Sequence, residues 1–168
     1  WRPDSGPAVV LGAGGAARAV IATLLDAGVP ELRLVNRTKS TAIELGVGFT
    51  PDDGRQIAVE RWEDRAATLD GATLLINTTS LGMKGQPPLD LDLGRLPAGA
   101  TVDDIVSVPV ETPLLAAARA RGLSCVDGLA MLLHQGCMGF EAWFGTRVAV
   151  SAEQRRAVLA ALAGDPAP

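Results

Sequence analysis

The sequence has no tyrosine, one histidine, two lysines and two cysteines, and aromatic residues make up only 4% of its 168 positions. Each scarcity closes a route. His134 has no second histidine with which to share a metal, and no Ser-His-Asp, Cys-His or metal cluster emerges around it. It lies on a helix flank near Glu141 and reads as a solvated surface group. Cys125 and Cys137 lack the spacing of a metal site or a redox motif and read as reduced packing residues. A formal net charge of −4 leaves no basic footprint for nucleic acid. No apolar run reaches the ~20 residues of a membrane span, so a cytoplasmic location is expected. The chain opens Trp1-Arg2-Pro3 with no Met and no signal peptide, and reads as the interior of a longer polypeptide.

What is present is apolar: 48% hydrophobic against 20% charged, enough for one domain with a real core. The expected unit covers 1–168, with its core over about 8–150 and a closing helix at 151–163. It is organised around Ala8-Val9-Val10-Leu11-Gly12-Ala13-Gly14-Gly15-Ala16-Ala17. An apolar strand breaks into a Gly-rich turn that opens an Ala-rich helix. Gly12, Gly14 and Ala17 make G-x-G-x-x-A. Gly12 permits the tight turn, Gly14 lets a pyrophosphate approach the backbone, and Ala17 packs the helix closely on the strand. Free N–H groups at the helix start favour an anion.

Along the chain, helix is expected over 16–27, strand over 31–36, a short helix over 39–45, loop over 46–55 and strand over 56–60. A short helix over 61–69 follows, with Trp62 covering an apolar edge, then strand 73–77 and a long Gly/Pro loop over 78–97. Strand 101–106, helix 112–121 with Thr112 as N-cap, strand 124–126, helices 129–144 and 152–163, and a frayed tail at 165–168 complete it. Strands alternating with helices imply an α/β, doubly wound (Rossmann-type), mostly parallel sheet covered on both faces.

Three places could carry chemistry. At the end of the second strand an NAD site usually places an acid for the ribose 2′-hydroxyl. Here stand Asn36, Arg37 and Thr38, with Lys39 following. A guanidinium pairs with a 2′-phosphate, so NADP is the expected cofactor. At the end of the fourth strand Asn77, Thr78, Thr79 and Ser80 offer small polar groups, though ordinary turn chemistry favours the same residues. Helix 129–144 carries two apolar stripes. Leu129, Leu132, Leu133, Gly136, Phe140 and Trp143 are expected against the sheet; Met131, Gln135, Met138 and Ala142 are expected to front a cleft or an absent partner domain. Asp103 and Asp104 are adjacent in a strand and should face opposite ways.

In order, these blocks resemble shikimate dehydrogenase: Gly12 to Ala19, Asn36-Arg37-Thr38, Asn77 to Met83, and Asp104-Ile105-Val106 with Pro109 and Thr112 to Leu115. Asp127 to Leu132 and Gln135 to Gly145 extend the resemblance over nearly the whole chain. It implies an NADP-dependent oxidoreductase of aromatic amino-acid biosynthesis, reducing 3-dehydroshikimate to shikimate. It places Gly12, Ala13, Gly14, Gly15 and Ala16 at the pyrophosphate, with Asn77, Thr78 and Thr79 also at the cofactor. Asn36, Arg37, Thr38, Lys39, Ser40 and Thr41 fall at the 2′-phosphate side, Ile105 and Gly128 near the nicotinamide, and Gln135 at the substrate. The family's catalytic Lys and Asp lie in an N-terminal substrate domain, expected to be absent here, so no catalytic residue is assigned. Ser107 stands where the family usually has a substrate-contacting Tyr. That leaves open quinate or another polyol acid, another NADP-linked reductase, or a non-catalytic nucleotide sensor. An exposed apolar front on helix 129–144 invites a homodimer.

Overall fold

In the computed structural model, residues 1–49 and 57–163 are described. Six strands form one wholly parallel sheet in the order β3-β2-β1-β4-β5-β6. They are β1 (Ala8–Leu11), β2 (Leu32–Asn36), β3 (Ile57–Arg61), β4 (Leu74–Asn77), β5 (Thr101–Asp104) and β6 (Ser124–Asp127). The helices are α1 (Gly15–Asp26), α2 (Lys39–Val47), α3 (Pro113–Ala120), α4 (Gly128–Phe144) and α5 (Ala152–Ala163). The expected loop over 46–55 starts later than the sequence implies, because α2 runs on to Val47; residues 50–55 and the tail at 165–168 lie outside the described residues.

The order follows from which residues can be buried twice. All of β1 is inaccessible, as an innermost parallel strand requires. Alternation splits its side chains between two cores. Ala8 and Val10 join Ile21 and Leu24 of α1 and Ala42 and Leu45 of α2. Val9 and Leu11 join Leu89, Leu93 and Leu96 of the long loop and Leu114, Leu115 and Ala118 of α3. Thr112 caps α3 by accepting from the Leu115 N–H, and Pro113 occupies the first helical position.

Three expectations needed correction. The helix expected over 61–69 is instead two single 3₁₀ turns, Trp62–Asp64 and Ala67–Leu69. Side chains capture the carbonyls that a continuous helix would use: Thr68 bonds the Arg65 carbonyl, Arg65 bonds that of Trp62, and Arg33 bonds that of Thr68. Trp62 does cover the core edge, with the Arg65 guanidinium over its ring. Strand β5 stops at Asp104 rather than 106, because the Val106 N–H turns back to the Asp104 carboxylate.

The third correction concerns α4. Its stripe Leu132, Phe140 and Trp143 does not lie on the sheet: Trp143 is 81% exposed. Full burial is confined to the first turn, at Gly128 and Leu129, where the Asp127 side chain also accepts from the Ala130 N–H. At ~1.5 Å per residue the remaining turns carry the helix clear of the sheet. Arg155 of α5 pairs with Asp127 at 2.5 Å and ties the closing helix to the start of α4. The second stripe is open as expected, with Met138 72% exposed.

Candidate functional site

The turn after β1 is built from two glycines with different causes. Gly12 has φ +104°, and a Cβ there would lie 2.7 Å from Thr78 Oγ1. Its need for glycine is internal. Gly14 has φ −92°, an ordinary extended conformation, and a Cβ on it would meet nothing within 4 Å. Nothing in the protein forbids a side chain at Gly14 or Gly15. The N-cap of α1 has no side-chain hydrogen bond, and the helix's first intrahelical donor is the Arg18 N–H, to Gly14. The N–H groups of Gly15, Ala16 and Ala17 are therefore left for an anion. A cavity of about 280 Å³ opens there, lined by Ala13, Gly14, Gly15, Arg18 and Thr41 among others.

The second part is the end of β2. Asn36 donates through its amide to the Thr38 carbonyl and fixes the bend into α2. Arg37, Thr38, Lys39, Ser40 and Thr41 are all exposed at that bend. Thr38 caps α2 without a side-chain hydrogen bond, so this helix start is also open. The residues present fit a dinucleotide: a bare backbone with free donors for the pyrophosphate, then exposed cations and hydroxyls for a 2′-phosphate.

The end of β4 is different. Asn77 is wholly buried, and its amide is spent on the Leu81 carbonyl and the Asp104 carboxylate. Its carbonyl oxygen accepts from the Thr79 N–H and hydroxyl. Thr78 donates to the Leu11 carbonyl at 2.6 Å. The side chains of Asn77 and Thr78 tie the β4 end to Leu81, Asp104, Thr79 and Leu11 and so shape the strand ends. Asp104 also accepts from Thr112 at 2.7 Å and from the Val106 N–H. Burial pushes its carboxyl up, against the pull of the Thr112, Val106 and Asn77 donors. Gly128 is obligatory for packing: a Cβ there would sit 2.4 Å from the carbonyl oxygens of Ile105 and Val106. It therefore seats α4 on the β5 exit, bringing Met131 and Gln135 to the same side as Ile105. Ser107 is half-buried just beyond β5.

Asp103 faces away from Asp104, as alternation requires. It lines an apolar groove of about 420 Å³ with Ile76, Ile105, Val126 and Gln135. Burial, then the charges of Asp104 and Asp127, raises its pKa to about 6. The parity of Asp103 was readable in the sequence; that no helix covers it was not. The sign of the consequence is fixed. The folded form holds the proton up to about pH 6 and the unfolded form only to about its ordinary 3.8, so stability is lost as pH rises between them. At ~1.36 kcal/mol per pH unit the ceiling is ~3 kcal/mol, and partial exposure lowers it to ~2. Asp103→Asn should therefore stabilise the chain at pH 7 and flatten its urea-unfolding free energy between pH 4 and 6. Parallel pH profiles for both proteins would contradict the assignment.

Among the described residues no group of His, Cys, Asp or Glu could hold a metal ion, and no helix is long and apolar enough to cross a membrane. Both cysteines are free.

No family model matches the chain. Relatives of known name do match: shikimate dehydrogenase (NADP(+)) of Rhodospirillum rubrum is 59% identical over 159 residues, 95% of this chain and 56% of the relative. Along this stretch the chain is homologous to the shikimate dehydrogenases. It spans about half the length of the curated relatives it matches. A shikimate 5-dehydrogenase from Thermus thermophilus, solved with NADP(H) and shikimate, is 34% identical at a TM-score of 0.72, over 86% of this chain and 51% of that one. Quinate dehydrogenase of Corynebacterium glutamicum, solved with NAD, is 30% identical at a TM-score of 0.83, over 94% and 56%. The sheet is thus the Rossmann-like fold of NAD(P)-linked dehydrogenases, with the shikimate dehydrogenases as its named homologues.

Proposed function

We propose that the chain is the NADP-binding part of a cytoplasmic shikimate dehydrogenase-like oxidoreductase that interconverts 3-dehydroshikimate and shikimate in aromatic amino-acid biosynthesis. The observation that carries this is the cradle at Gly14 and Gly15, whose missing side chains have no reason inside the protein. When bound, the nicotinamide dinucleotide supplies the hydride. The chain's own residues bind and orient. The α1 start holds the pyrophosphate, Arg37 with Thr38 to Thr41 holds the 2′-phosphate, and Ile105 and the α4 start wall the nicotinamide end. Gln135 reaches the substrate. A catalytic domain N-terminal to this one, in the extra length the relatives have, supplies the acid–base groups.

A second reading concerns the substrate. Ser107 is shorter than the expected Tyr and leaves room for a bulkier polyol acid such as quinate, which agrees with the fold likeness to a quinate dehydrogenase.

Cofactor choice tests the first reading. Arg37 is exposed at the β2 end, where no acid stands. Calorimetry should show NADPH binding well above NADH. Arg37→Ala should cut NADPH affinity ~10–100-fold, the ~1.5–3 kcal/mol of a charge-assisted bond, and leave NADH nearly unchanged. Equal affinities in the unmodified chain would sink the assignment.

A further inference from the structure

One cation stands where the fold itself has no use for it. Arg18 is the basic residue of α1, and it closes the first turn of that helix. A helix start is the positive end of its dipole, where an acid stabilises and a cation costs. The first turn of α1 nevertheless holds no acid, and its N-cap makes no side-chain hydrogen bond. The Arg18 guanidinium also lacks a counter-charge: among the described residues no hydrogen bond or ion pair reaches it. Glu44 borders the same cavity without pairing with it. Elsewhere the guanidinium groups are spent, as Arg33, Arg65 and Arg121 are on backbone carbonyls.

The helix sets the direction of this side chain. Gly14 and Gly15 stand four and three residues before Arg18, on the same face, and helical side chains lean toward the N-terminus. Arg18 therefore leans back toward the cradle. Thr41, in the first turn of α2, lines the same cavity of about 280 Å³. The guanidinium lies over the Phe49 ring, 5.8 Å from its centroid. A ring against the face of the fork holds the cation and leaves its N–H edges free. The charge is thus held in place without being neutralised. A phosphate monoester carries nearly two negative charges at pH 7, and Arg37 supplies one positive charge. The pyrophosphate already has the open N–H groups of α1, whereas the wall opposite Arg18 belongs to the 2′-phosphate side.

We propose that Arg18 is a second specificity residue for the cofactor, pairing with the 2′-phosphate from the α1 side while Arg37 pairs with it from the β2 end. The inference rests on the reading of the chain as an NADP-binding unit. The test is calorimetry of NADPH and NADH on Arg18→Gln, with thermal unfolding of the cofactor-free variant beside it. NADPH affinity should fall ~10–50-fold and NADH affinity less than ~3-fold. The melting temperature should drop by no more than ~2 °C, because relief at the helix start opposes the loss of the Phe49 contact. Arg18→Gln combined with Arg37→Ala should bind the two cofactors within ~3-fold of each other. Equal losses for NADPH and NADH would overturn the proposal, since the group would then serve the pyrophosphate or the fold. Unchanged NADPH affinity would overturn it too. The two readings fail differently. If Arg37→Ala narrows the preference for NADPH and Arg18→Gln does not, only the role of Arg18 falls. If the unmodified chain binds neither cofactor, the NADP-binding reading falls and takes this one with it.

Discussion

Gly14→Asp should fold at least as well as the unmodified chain and lose NADPH affinity by ~100-fold or more. The two effects have opposite signs for one reason. Gly14 is the N-cap of α1, in an extended conformation that any residue adopts, with empty space where a side chain would go. Asp is among the best N-caps, and its charge suits a helix start, so the helix gains up to ~1 kcal/mol. The same carboxylate occupies the space of the pyrophosphate and repels it. Two like charges ~4 Å apart near a protein surface cost ~4 kcal/mol, more than the ~2.7 that a hundredfold loss requires. Gly12→Ala is the contrasting control. With φ +104° and Thr78 Oγ1 in the way, it should lower stability by ~1–3 kcal/mol. Thermal unfolding and calorimetry on the two variants give the readout. If Gly14→Asp keeps its NADPH affinity, the cradle at α1 is not where the dinucleotide binds.

The second large effect is an absence of turnover. The purified chain should bind NADP(H) and oxidise shikimate at least ~10⁴-fold more slowly than an intact enzyme of the kind proposed. Proton transfer by a placed group contributes ~10²–10⁴-fold, and lost substrate positioning adds to the deficit. Neither carboxyl of β5 can substitute. Asp104 is fully buried and committed to Asn77, Thr112 and the Val106 N–H. Asp103 sits deeper in the strand than Ile105, with no cation in its groove. The measurement is NADPH formation from shikimate at saturating NADP⁺. Turnover within tenfold of an intact shikimate dehydrogenase would show that the chain carries its own acid–base group.

Local chemistry made most of the fold legible. Gly12, Gly14 and Ala17 announce the first βα turn, and the end of β2 announces itself by lacking an acid. Thr112-Pro113 marks the α3 start to the residue. What could not be read was set by partners distant in sequence. The helix expected over 61–69 lost its carbonyls in part to Arg33, far away along the chain. The periodicity of α4 is real, but it does not say which of its turns the sheet reaches. Leu132, Phe140 and Trp143 repeat at helical spacing and are exposed, because α4 has left the sheet by the time it reaches them. The burial of Asn77 was likewise not legible, because turn residues and ligand residues are the same small polar set.

The bonds around Asp104 have a consequence for how this surface can change over generations. One carboxylate receives the end of β4 through Asn77, the start of α3 through Thr112 and its own strand exit through Val106. Three loops that border the cofactor face are thereby knotted to a single buried charge. A substitution in one loop is judged by what the other two still offer that charge. Drift at Thr112 is harmless or lethal depending on Asn77, so these loops diverge in concert or not at all.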